Sequence, residues 1–179
     1  MKETNEGKEE ILDRIEARAH SYQYEFGVCG QTVMQALQKE FGIPGGHEVI
    51  KAVGFTGAGT ASMGHTCGAL IGAIMAIGLA CGREDLEDSA YPEPEVIDET
   101  TGLPKSQTII KQFYQRFIQE FGSWTCRDLQ IRMLGRSYDL SVAGELQKFR
   151  EVGGKKLCSE LVAKTAHLAG ETILLLPRR

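Results

Sequence analysis

The chain contains five cysteines among 179 residues, yet no two of them form a Cys-x-x-Cys pair. Thioredoxin-type chemistry and the paired ligands of zinc fingers both use that spacing, so neither is signalled. Cys-x-x-Cys-His is missing as well, so there is no haem motif for covalent attachment. No Gly-Lys-Ser/Thr follows the glycine-rich stretch from Gly54 to Gly64, and no clear strand precedes it, so neither nucleotide fingerprint holds. Lysine and arginine number 20 against 24 acidic residues, for a net charge of −4, and they form no long run. A nucleic-acid partner, which calls for clustered basic residues, is not expected. The longest apolar run, Cys67 to Cys81, falls short of the roughly 20 residues that cross a bilayer. No membrane span is expected, and the run reads as a buried core helix. The opening Met1-Lys2-Glu3-Thr4-Asn5-Glu6 is polar and acidic, without a signal-peptide pattern. The expected location is therefore cytoplasmic, where cysteines are usually free, catalytic or metal-bound. Their odd number also argues against a closed set of disulfides.

What is present is an ordinary globular composition, with 42% apolar and 25% charged residues. The length suits a single helical domain over 1–179. Apolar residues recur at helical spacing over 8–26, where Ile11, Leu12, Ile15, Ala19 and Tyr22 share a face. Further helices are expected over 29–41, 48–53, 66–80, 106–121, 126–133 and 157–175, with 138–150 partly helical. No stretch alternates convincingly as a strand. The fold class is all-α, a helical bundle of about five to seven helices. Residues 83–105 are polar and acidic with Pro92, Pro94 and Pro104, and read as a long polar loop. Gly68, Gly72 and Gly78 lie inside the apolar helix, where each costs about 1 kcal/mol against alanine. Close packing against a neighbouring helix is the expected compensation. A homodimer contact would explain the small residues equally well.

Four of the five cysteines share a local context. Cys29 follows Gly27-Val28, Cys67 follows the glycine loop, Cys126 follows Ser123-Trp124-Thr125, and Cys158 follows Gly153-Gly154-Lys155-Lys156. Each is expected at a helix start, where unpaired N–H groups and the positive dipole end favour thiolate over thiol. Thiolate is the form that attacks disulfides and binds metal. Thr125-x-x-Asp128 can cap its helix reciprocally. Cys81 lies about 21 Å beyond Cys67 along one helix, at 1.5 Å per residue, and reads as a small buried hydrophobe. Gly64, His65 and Gly68 flank Cys67. His65 reads either as a ligand or base beside Cys67 or as a solvent-facing loop residue. Arg127, Lys155 and Lys156 could offset negative charge at the thiols or be solvated, and Trp124 reads as core packing or a shield.

The chain resembles the redox-active family named for its cysteine pattern, C_GCAxxG_C_C. Four segments carry the resemblance: Cys29-Gly30-Gln31-Thr32-Val33, Gly54 to Gly59 with Met63 to Gly72, Phe121 to Leu129, and Lys156 to Val162. Gly30 stands where alanine is common, His65 is an unexpected loop residue, and Cys81 is extra. The resemblance implies a helical protein with a redox role for Cys29, Cys67, Cys126 and Cys158, and kinship with split-Soret cytochromes that carry the same module. An iron–sulfur cluster held by the four cysteines is the natural cofactor, with zinc as the runner-up, and an electron-transfer partner follows. Two other classes stay open: a metal-free thiol/disulfide oxidoreductase using the same cysteines, and a helical structural or interaction module in which they only pack.

Overall fold

The computed structural model describes residues 3–82, 97–98 and 103–176. Among them the chain forms eight α-helices, one more than the upper sequence expectation: α1 (Glu3–Phe26), α2 (Cys29–Phe41), α3 (Gly46–Ala52), α4 (Gly68–Cys81), α5 (Lys105–Phe121), α6 (Cys126–Leu134), α7 (Ala143–Glu151) and α8 (Gly154–Leu174). A 3-10 turn, Gly54–Thr56, follows α3. The all-α reading holds. Within the expected loop over 83–105, β1 (Ile97–Asp98) and β2 (Leu103–Pro104) form a small antiparallel pair, Ile97 opposite Pro104. The remainder of that loop, up to the start of α5, lies outside the described residues.

The long helices α1 and α8 pack along each other, and α2 and α4 pack as a second pair against them. Ile15 and Ala19 of α1, Val33, Met34 and Leu37 of α2, Leu70, Ala73 and Ile77 of α4, and Val162, Ala166 and Ala169 of α8 meet in one core. Phe113 and Phe117 close it from α5. Burying one such side chain contributes roughly 1.5–3 kcal/mol. The periodicity of α8 buries Ser159, Thr165 and Thr172 as well. Each hydroxyl donates to the carbonyl one turn back, on Lys155, Leu161 and Leu168, at 2.9, 2.8 and 2.9 Å. That bond removes the cost of burying them. Outside the core, Arg14 and Arg18 of α1 donate to Glu40 at the end of α2 at 3.0 and 3.1 Å, and hold its carboxyl below the ordinary range.

The small residues of α4 divide into two kinds. A Cβ on Gly72 would lie 2.4 Å from the Gly30 carbonyl oxygen, and one on Gly68 would lie 2.4 Å from that of Thr56. Here α4 crosses α2 and the 3-10 turn with backbone on backbone, so the small residues are used within the chain. Gly78 has nothing within 4 Å, so close packing does not account for it. Gly30 has its own reason: a Cβ there would meet the Thr56 hydroxyl at 2.0 Å, and that hydroxyl is held by the Val53 carbonyl at 2.8 Å.

A four-thiol centre as the candidate functional site

The loop before α4 sets the site's geometry. Ala58, Gly59, Thr60, Ala61 and Ser62 all have positive φ, between 51° and 77°. A left-handed residue costs roughly 1–2 kcal/mol unless it is glycine. Four of these five are not glycine, so the turn stores strain of the kind found where a backbone must present specific groups. Its bonds run outward and back: Ala61 N–H donates to Phe55 O at 2.8 Å and His65 N–H to Gly59 O at 2.9 Å. Gly59 has room for no side chain, since a Cβ would lie 2.6 Å from that of Cys126.

Beyond this turn the chain pairs with a segment far away in sequence. Thr66 and Thr125 form an isolated antiparallel bridge. Cys67 N–H donates to Trp124 O at 2.8 Å, Cys126 N–H to His65 O at 2.7 Å, and Arg127 N–H to Gly64 O at 3.0 Å. Cys67 and Cys126 are thereby fixed together through their backbones. Thr125 Oγ1 accepts from Asp128 N–H at 3.1 Å and caps α6. The cap is not reciprocal: the Asp128 carboxylate accepts from Ser123 Oγ at 3.1 Å, and Ser123 Oγ accepts from Thr125 N–H at 3.2 Å.

Cys29 is the first residue of α2, Cys126 the first of α6, and Cys67 caps α4. Cys158 does not open its helix. α8 begins at Gly154, so Cys158 lies one turn inside. The reason is Gly153, whose left-handed φ of 82° lets the helix start before the lysines. Cys29, Cys126 and Cys158 line one cavity of about 420 Å³ between the end of α1, the left-handed turn and α6, α7 and α8. Cys67 is buried behind them, near enough that the four thiolates repel one another. None of these four is in a disulfide. Cys81 ends α4, away from this cavity, and its thiol donates to Ile77 O at 3.2 Å.

The expected acidity of the helix-start thiols is overturned. Burial pushes the Cys67 thiol up strongly, and repulsion from Cys29 and Cys126 adds to it, against the N–H groups of Leu70 and Ala69. Burial also pushes Cys126 up to about 11, with repulsion from Cys29 adding and Gln130 opposing. Burial raises Cys158 well above its ordinary value, with repulsion from the other three thiols adding. Cys29 rises through burial, opposed by the N–H groups of Ala58 and of Cys29 itself and by Gln23. Desolvation disfavours the charged form everywhere in this cluster and outweighs the local N–H groups.

Two residues that touch the thiols escaped the sequence reading. Gln23 Nε2 donates to Cys29 Sγ at 3.5 Å, and Gln130 Nε2 donates to Cys126 Sγ at 3.4 Å. Gln130 Oε1 in turn accepts from Tyr138 N–H at 2.7 Å. Both glutamines are buried, at 6% and 3% exposure. Their spacing before Cys29 and after Cys126 is the only signal the sequence holds for them. His65 lends its backbone to the site while its side chain is exposed. Gly64 adopts φ 72° and accepts from Arg127, and Gly68 lets α4 approach Cys29. Lys155 lines the cavity with its Nζ 4.4 Å over the Tyr24 ring, whereas Lys156 faces Glu160 at 3.8 Å.

Among the described residues, no group of three or more His, Cys, Asp or Glu side chains is gathered to hold one metal ion. Cys29, Cys126 and Cys158 line a space, with Cys67 buried behind them. Fold and site together define an all-α protein that brings Cys29, Cys126 and Cys158 to one cavity and buries Cys67, the cap of α4, behind them. The chain belongs to the family described as "Putative redox-active protein (C_GCAxxG_C_C)", which matches residues 28–172. No curated protein and no solved structure matches it.

Proposed function

We propose that this redox-active protein holds an iron–sulfur cluster on Cys29, Cys67, Cys126 and Cys158 and serves in electron transfer. The observation that carries the reading is the placement of Cys29, Cys126 and Cys158 on one cavity with Cys67 buried behind them. Burying four ionisable groups together is unfavourable for the bare protein. A thiolate-binding metal replaces those protons and offsets the repulsion. The raised proton affinity of these thiols disfavours thiol–disulfide exchange, which needs thiolate near neutral pH. A single zinc ion would need its thiolates about 2.3 Å from one centre, and the donors are not gathered that way. A four-iron cluster takes each thiolate at a different iron, which suits donors that do not share one centre.

The fit extends to the surrounding groups. Gln23, Gln130 and the Ala58 N–H each face a cysteine sulfur and favour its charged form. Such hydrogen bonds tune a cluster's potential. When bound, the cluster supplies one-electron chemistry. The chain's own residues orient the sulfurs, keep Cys67 from water and hold the left-handed turn against Cys126.

Protein purified anaerobically is expected to contain iron and acid-labile sulfide in stoichiometric amounts, and Cys67→Ala and Cys126→Ala are expected to lose both. A fully folded anaerobic preparation without iron or sulfide overturns the reading. If that preparation forms a reversible disulfide among the four cysteines on mild oxidation, the metal-free oxidoreductase takes its place.

A further inference from the structure

Large apolar side chains lie open beside α6, outside the thiol cavity. Met63 is 63% exposed, Trp124 46% and Ile131 44%. Trp124, the only tryptophan, therefore packs in no core. The three belong to one face. Arg127 N–H bonds Gly64 O, next to Met63, and a Cβ on Gly64 would lie 3.5 Å from that of Arg127. Trp124 directly precedes the Thr125 cap of α6, and Ile131 lies one turn beyond Arg127 on the same side of that helix. None of these residues lines the cavity. Exposed apolar side chains grouped in this way mark interaction surfaces, whereas scattered ones do not.

Charge narrows the partner. Arg127 and Arg132 are exposed, and among the described residues neither makes an ion pair. Asp128, the acidic residue of the same helix, has its carboxylate turned to Ser123 Oγ at 3.1 Å. Residues 126–156 hold seven lysines and arginines against four acidic residues, in a chain whose net charge is −4. This stretch is thus positive on an otherwise acidic protein. A second copy docking here about a two-fold axis would bring the same unpaired arginines into one interface. Two unpaired arginines are also fewer than binding to a nucleic-acid backbone uses.

We propose that the face formed by Met63, Trp124, Arg127, Ile131 and Arg132 docks a small acidic electron-transfer protein. That the partner is a redox protein rests on the reading above; that it is acidic rests on this face alone. Arg127 and Arg132 pair with its carboxylates, and Trp124 with Met63 and Ile131 forms the apolar centre. Tryptophan and arginine are the side chains that most often dominate protein interfaces. The contact is small, as transient redox encounters are. Arg127 follows Cys126, and the Trp124 carbonyl accepts the Cys67 N–H, so the docked protein lies against the paired backbone that carries two of the proposed ligands.

The test reads the emission of Trp124 in anaerobically purified full-length protein, with iron and sulfide measured on each sample. The probe is an acidic, tryptophan-free two-iron ferredoxin, so the signal comes from this face. Saturable quenching at one probe per chain is expected, weakened about tenfold or more as ionic strength rises from roughly 0.01 to 0.15 M. Arg127→Ala together with Arg132→Ala is expected to weaken binding about tenfold, and Met63→Ala together with Ile131→Ala several-fold. Lys39→Ala, which changes an exposed lysine in the last turn of α2, should leave binding unaltered. Cytochrome c, a basic electron-transfer protein, should not displace the ferredoxin. Absence of saturation, binding that ignores the arginine substitutions, or displacement by cytochrome c overturns the proposal. A dimer that the same substitutions dissociate overturns it in favour of a second copy, and tighter binding of polyuridylate than of ferredoxin overturns it in favour of nucleic acid. Ferredoxin binding without iron in the protein sinks the cluster reading alone; iron without ferredoxin binding sinks this one alone.

Discussion

Cys126 begins α6 with Gln130 Nε2 3.4 Å from its sulfur, and its thiol still stands near 11. Local N–H groups can lower a thiol's pKa only where solvent or a counter-charge does not have to be given up. The consequence for stability has a definite sign. Between the ordinary value of 9.0 and about 11, the unfolded chain has lost a proton that folded Cys126 still holds. The folded state then binds more protons, so stability falls as pH rises through that window. In the metal-free reduced protein, urea unfolding should show this loss for the wild type and less of it for Cys126→Ser. Identical pH dependence in the two proteins contradicts the assignment. Gln130→Leu should destabilise the protein by about 1–3 kcal/mol, because Tyr138 N–H loses its acceptor as Cys126 loses its donor. Neither glutamine was legible beforehand. A glutamine in an amphipathic helix reads as surface, and only the packing of α1 and α6 around the cavity turns Gln23 and Gln130 inward.

At the scale of elements, α4 carries two opposite expectations. Gly72→Ala places a methyl 2.4 Å from the Gly30 carbonyl and must push α2 away, at about 1–3 kcal/mol. Gly78→Ala meets nothing within 4 Å and should stabilise by about 1 kcal/mol, the usual helix-interior gain. Thermal unfolding of the two variants decides between packing and propensity at each position. The turn over 58–62 adds a third case. Ala61 has φ 51°, so Ala61→Gly should stabilise by up to about 1 kcal/mol once the glycine's added chain entropy is counted. An unchanged or lowered melting temperature would show the turn to be unstrained. The helices themselves were readable from periodicity, α2 to the residue. The left-handed turn was not, since Ala58, Thr60, Ala61 and Ser62 carry no local preference for positive φ. The backbone bonds of Thr60, Ala61 and Ser62 to Thr56, Phe55 and Gly57 hold it, and no side chain signals them. The start of α8 was missed for a related reason: two glycines read as a break, whereas Gly153 is the cap and Gly154 already helical.

For the molecule as a whole, the four motif cysteines could be picked from the sequence by their order and surroundings, but their electrostatics could not. Their burial depends on α1, α7 and α8 closing over them, and no local pattern encodes that. The same closure links occupancy to global stability. A ligand bound only by the folded state raises the apparent stability with the logarithm of its concentration over its dissociation constant. On the cluster reading, protein prepared anaerobically should therefore melt higher than the same protein stripped by chelator and oxidant, and Cys158→Ala should remove most of the difference. Equal melting temperatures would mean that the thiols and the fold are not coupled.

The bridge between Thr66 and Thr125 also constrains how the protein is made. Cys67 takes its backbone partner from Trp124 and Cys126 takes its own from His65, so neither thiol is in place until α6 has been synthesised. Cys158 arrives later still, on the last helix. A chain emerging from the ribosome exposes Cys29 and Cys67 long before the other two exist. A cluster held by all four thiols, as proposed above, is therefore loaded only after Cys158 has been made, and it requires that Cys29 and Cys67 stay reduced until then.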